Sequence, residues 1–186
     1  MEKESLYFVA IIPPQEICDE ITAFKQDFAQ HYNSHKALKV IPHITLKTPF
    51  KLMSDAHSAI VAWFKNLAIN IAPFKVELKN FDAFHNKHNP VVFVHPEMTK
   101  ALATLQKEML KSFLDYFPFV QIPDVEFKFK PHITVAYRDL EPEQFFKAWP
   151  VYKEKKYHAE FVVNDFHLMQ HDGRKWNIVQ TYKFNG

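Results

Sequence analysis

Pro42-His43-Ile44-Thr45-Leu46 and Pro131-His132-Ile133-Thr134-Val135 are two copies of one phrase, Pro-His-aliphatic-Thr-aliphatic, with their histidines 89 positions apart in a chain of 186 residues. Each reads as a strand, the first over about 43–48 and the second over about 132–137. Side chains two apart on a strand point the same way, roughly 6.5–7 Å from one another. One face of each strand therefore carries an imidazole and a hydroxyl, and the other carries aliphatic side chains. Lys47 falls on the face of His43 by the same count, and Arg138 on the face of His132 and Thr134.

Outward from these strands, the elements come in the same order twice. Leu6–Ile12 reads as a buried strand, and Pro14 suits the first turn of a helix. Ile17, Ile21, Phe24 and Phe28 then recur at helical spacing. After the first motif, Ser54 is a candidate N-cap for a helix carrying Ile60, Trp63, Phe64 and Leu67. Phe74, Val76 and Leu78 alternate as a strand whose phase slips near Asn80, as at a bulge. The order then restarts with a strand at Val91–Val94 and a helix marked by Leu102, Leu105, Met109 and Phe113. The second motif and a short helix over Pro142–Trp149 follow, with Phe145, Phe146 and Trp149 as its apolar side. The segment 157–184 reads as two strands joined at Asp172-Gly173. The expectation is an α+β fold of two pseudo-symmetric βαβαβ lobes, 1–89 and 90–186, within one domain. Antiparallel sheets would bring the two His-Thr faces together across a central cleft.

Composition removes several function classes. Hydrophobic residues make up 47% of the chain and aromatic residues 16%, as in a packed globule. Net charge is only +2, and Arg138 and Arg174 are the only arginines, which disfavours a broad arginine-lined nucleic-acid surface. With Gly173 and Gly186 the only glycines, neither a P-loop nor a dinucleotide fingerprint is present. Cys18, the single cysteine, lies on a helix face and is expected in the core. Met1-Glu2-Lys3-Glu4 lacks the basic character of a signal peptide, and no apolar run approaches the roughly 20 residues of a membrane span. A cytoplasmic, monomeric protein with no membrane partner is expected. No metal or other cofactor is expected either, since the nine further histidines show no ligand spacing.

The paired Pro-His-Ile-Thr strands, within this duplicated order, resemble the 2H phosphoesterase superfamily, the 2′-5′ RNA ligase-like (LigT-like) and cyclic phosphodiesterase-like proteins. The resemblance covers nearly the whole chain. It implies catalytic roles for His43 and His132, phosphate binding by Thr45 and Thr134, and a substrate with a 2′,3′-cyclic phosphate or a 2′-5′ linkage on a nucleotide or RNA terminus. It suggests His132 as base and His43 as acid, on which the sequence alone is symmetric. The chain departs from the pattern twice. Relatives often follow the first motif with an aromatic, an aliphatic and a glycine, where this chain has Lys47-Thr48-Pro49-Phe50. They often carry an arginine where this chain has Tyr137, with Arg138 one position later. Lys47, Tyr137 and Arg138 are thus possible substrate-binding residues, and Tyr137 has two readings, base stacking or core packing. Three activities stay open on the sequence: metal-independent opening of a cyclic phosphate, 2′-5′ RNA ligation, and binding of a nucleotide or RNA end without turnover.

Overall fold

The structure, a computed structural model, describes residues 4–184, so the first three residues of the leader reading and Gly186 lie outside it. Among the described residues, eight strands form two antiparallel sheets of four. In chain order these are β1 (Glu4–Ile11), β2 (Ile44–Met53), β3 (Phe74–Phe84), β4 (Val91–Pro96), β5 (Ile133–Ala136), β6 (His158–Val163), β7 (Asp165–His171) and β8 (Trp176–Lys183). The first sheet runs β2-β1-β7-β8 and the second β5-β4-β3-β6. The helices are α1 (Gln15–Tyr32), α2 (His57–Lys65), α3 (Lys100–Tyr116), α4 (Asp124–Phe127) and α5 (Pro142–Tyr152).

The two-fold order read from the sequence is present, but the sheets do not divide at residue 89. The pair β2-β1 of the first half matches β5-β4 of the second. The third strand of each sheet then comes from the other half: β3 pairs with β4, and β7 pairs with β1. The helices interlock the halves further, because α1 packs on β5 and α3 on β2. Each long helix thus covers the motif strand of the other half. The end of the chain holds three strands rather than two. Between β6 and β7 the chain leaves one sheet for the other, a step that shows no turn signature in the sequence.

Local chemistry sets the boundaries. On α3, Leu102, Leu105, Met109 and Phe113 fall at intervals of three and four and are all buried, each side chain contributing about 1.5–3 kcal/mol of transfer free energy. Thr99 caps this helix, its hydroxyl accepting from the Leu102 N–H at 3.1 Å. Helix α1 ends at Asn33, which takes the left-handed conformation (φ 55°). The phase slip in β3 is a bulge at Asn80 (φ 57°), whose N–H donates to the Tyr157 carbonyl. The N-cap residue of α2 is Ala56, not Ser54. Ser54 opens a 3₁₀ turn (Ser54–Ala56) before α2 and its hydroxyl meets that of Ser5. Phe146, expected on the apolar side of α5, is 73% exposed, while Phe145 and Ala148 face inward.

The two faces of each sheet differ. Tyr7, Val9 and Ile11 of β1, with Val92 and Val94 of β4, join the main core beneath the helices. Phe8 and Ala10 point the other way and form a smaller apolar cluster with Met169, Ile12 and Trp176. That second face is the one on which the motif side chains stand.

Candidate active site

His43 and His132 each sit one residue before their strand, and their environments repeat. The Nδ1 of His43 lies 2.7 Å from the Ile41 carbonyl, and the Nδ1 of His132 lies 2.8 Å from the Lys130 carbonyl. A carbonyl oxygen only accepts, so both Nδ1 atoms carry the proton and both Nε2 atoms are left as acceptors. Each ring rests on a phenylalanine from the neighbouring strand. Phe8 of β1 is 4.9 Å from His43 and Phe93 of β4 is 5.4 Å from His132, with Phe84 edge-on to His132 at 5.1 Å. Thr45 and Thr134 follow on the same faces, opposite Ala10 and Phe93 respectively.

Burial pushes both imidazoles below their ordinary range, His43 to about 4 and His132 in the same direction. Against this work the bonds to Ile41 and Lys130, which favour the charged forms. The Lys25 ammonium adds to the depression at His43, and Lys130 does so at His132. His132 is close enough for its charge to weigh on His43 as well. In the free protein both rings are therefore neutral near pH 7. A cavity of about 470 Å³ opens between the sheets, with Thr45, His132, Lys128 and Lys130 in its lining.

The sequence model of the 2′-5′ RNA ligase superfamily matches residues 13–175. The chain belongs to this superfamily. Among curated proteins, one from Geobacillus kaustophilus, provisionally named a phosphoesterase, is 28% identical over 181 residues, 97% of this chain and 96% of that protein. One from Bacillus cytotoxicus with the same provisional name is 29% identical over 175 residues, 94% of each chain. Among solved structures, Escherichia coli LigT complexed with 3′-AMP superposes with a TM-score of 0.71 at 14% identity, covering 99% of this chain and 100% of LigT. A Thermus thermophilus protein gives 0.70 at 19% identity, covering 97% and 98%. The last two comparisons establish a LigT-like fold.

In this member of the 2′-5′ RNA ligase superfamily, two residues expected on the motif faces, Lys47 and Arg138, take other places. Thr45 lies opposite Ala10 but Lys47 lies opposite Val9, so two steps along β2 match one along β1. This bulge turns Lys47 away from the cleft and into the core, where it is 1% exposed. Its ammonium pairs with the Glu126 carboxylate at 2.8 Å and lies about 5 Å from the rings of Phe50 and Phe113. Arg138 lies beyond the end of β5 with φ 60°, so strand alternation does not reach it. It is exposed and stacks over the half-buried Tyr137 ring at 5.1 Å. Neither residue lines the cavity. Among the described residues, no helix is long and apolar enough to cross a membrane.

Sequence reasoning missed the supports of the histidines. Phe8 and Phe93 could have been found, because Phe8-Val9 and Phe93-Val94 repeat at equivalent places in the two halves. Lys25 had no such signal. It is 3% exposed and donates to the Val40 carbonyl at 2.7 Å. The next carbonyl of that loop, Ile41, is held by His43, and the buried Cys18 thiol, which donates to the Pro13 carbonyl at 3.2 Å, lies 3.9 Å from the Pro42 carbonyl. Lys25 thus positions the loop that presents His43 and adds positive charge beside it. Replacing Lys25 with Met should raise the His43 pKa, because a nearby like charge is lost. An NMR titration of the His43 ring checks this, and a pKa that stays put or falls would show that the ammonium is not felt there.

Proposed function

We propose that this protein is a metal-independent phosphoesterase that opens 2′,3′-cyclic phosphates or related nucleotide and RNA-end phosphodiesters. The observation that carries the reading is the matched pair of histidines, each with Nδ1 tied to the carbonyl two residues before it and Nε2 left as an acceptor. Each is followed on its own face by a threonine whose hydroxyl has no protein partner among the described residues. In hydrolysis, water attacks phosphorus and gives its proton to the Nε2 of one histidine. The bond from phosphorus to one ribose oxygen breaks, and the other histidine, protonated, gives its proton to that oxygen. Thr45 and Thr134 donate to the non-bridging oxygens as negative charge gathers on them.

His132 serves as base and His43 as acid in this direction. The free protein disfavours a proton on His43, so the acid form depends on the phosphate. Bringing an anion next to the ring offsets the charge of Lys25 and raises the pKa. The cavity is of the size that encloses a small ligand, within the roughly 300–1,000 Å³ of such sites.

Turnover of the four 2′,3′-cyclic nucleotides in the presence of EDTA tests the proposal. The expected result is hydrolysis to a 2′- or 3′-phosphate at a rate that EDTA leaves unchanged. Failure to hydrolyse any of the four, with tight binding retained, would instead mark a nucleotide-binding module.

A further inference from the structure

The cavity wall beside Thr45 holds a group of polar residues that the acid–base chemistry does not use. Glu126 is 4% exposed and lies on the short helix α4, between Val125 and Phe127, which are 67% and 62% exposed. The helix thus turns its acid inward and its apolar side chains outward, the reverse of what burial of apolar surface favours. Glu126 Oε1 accepts from the Lys47 ammonium at 2.8 Å and from the Thr48 hydroxyl. The Glu126 backbone carbonyl accepts from the Gln106 amide at 3.0 Å. Its second carboxylate oxygen, Oε2, is buried and has no partner among the described residues. Thr48, Gln106 and Glu126 line the same cavity as Thr45 and His132.

A buried carboxylate oxygen without a donor is costly, and a buried ion pair is weak as a device for stability alone. Lys47 and Thr48 both donate to Oε1, which holds the carboxylate in one orientation and leaves Oε2 as an acceptor only. Resting on the nucleotide reading above, we propose that this wall reads the base of the bound nucleotide, with Glu126 Oε2 accepting from an exocyclic amine. The phosphate lies between the two histidines, and the base reaches along the cavity to Glu126. Adenine and cytosine offer an amine at their outer edge. Hypoxanthine and uracil place a carbonyl oxygen there, which a carboxylate repels.

The test is the binding of 3′-nucleoside monophosphates by calorimetry, in the pairs adenosine against inosine and cytidine against uridine. Wild type should bind the amine-bearing member of each pair roughly 10-fold or more tightly, as for a hydrogen bond to a charged group. Glu126→Gln, which puts an amide donor at the open position, should erase or invert both preferences. Ratios below about two-fold in the wild type overturn the proposal without any variant, as do preferences that survive unchanged in a folded Glu126→Gln protein. Hydrolysis of cyclic nucleotides with no ranking of bases would reject base reading and keep the phosphoesterase. Ranked binding without hydrolysis would do the opposite, and no nucleotide binding at all would reject both.

Discussion

Replacing His43 or His132 with alanine will lower the turnover of 2′,3′-cyclic nucleotides by roughly 10²–10⁴-fold each, the usual yield of a positioned acid or base. The two rings stand at strand ends and are only partly covered, so neither truncation opens a sealed core cavity. Their bonds to Ile41 and Lys130 tie the ring to its own loop, and losing one leaves the sheet pairing of β2 or β5 in place. The loss should therefore appear in kcat, with the melting temperature within a few degrees of wild type. The double variant should fall little below the worse single one, because acid and base act in one step. Steady-state kinetics with EDTA, run beside thermal melts, reads all three expectations. Full activity in either folded single variant would end the two-histidine mechanism.

Lys47→Met should destabilise the fold by about 3–5 kcal/mol, the range seen when one partner of a buried ion pair is removed. Both side chains of the Lys47–Glu126 pair are 1% exposed. Methionine fills much of the lysine stem's volume but offers no donor, leaving the Glu126 carboxylate with Thr48 alone as its partner. Burial already pulls the Lys47 pKa down, and the bond to Glu126 is what holds it up. Replacing both residues together, Lys47→Met with Glu126→Leu, should recover most of the loss, because the uncompensated charge goes with its partner. Urea unfolding measures this as a shift of midpoint at constant slope. A loss below about 1 kcal/mol in the single variant would mean that water or a rearrangement satisfies Glu126, and that the pair is not a sealed one.

Much of the candidate site was legible because it obeys a two-residue period. His43 with Thr45, and His132 with Thr134, share a face on strands whose alternation holds over those three positions. The count failed one step beyond Thr45 in the first half and two steps beyond Thr134 in the second. At Lys47 the bulge against β1 reverses the facing of the side chain, and at Arg138 the strand has already ended. Neither event is written in the stretch it affects, since a bulge is defined by the register of the partner strand. The slip at Asn80 was readable because there the sequence itself breaks its alternation. Ser54 and Phe146 misled for a related reason. Both fit local rules of capping and helical period, and both were overruled by what the neighbouring elements left open.

By itself, the sequence determined the α+β class, the duplicated order of elements, the two His-Thr strands and the absence of any glycine-built phosphate site, because each follows from local periodicity or composition. Only the tertiary structure decided that β3 and β7 change sheets, that Lys25 and the two phenylalanines support the histidines, and that Lys47 and Glu126 meet in the interior. Those contacts join residues far apart in the chain. They depend on which backbone edges remain to be paired and which buried charges must find a partner, and both are settled only when the whole fold closes.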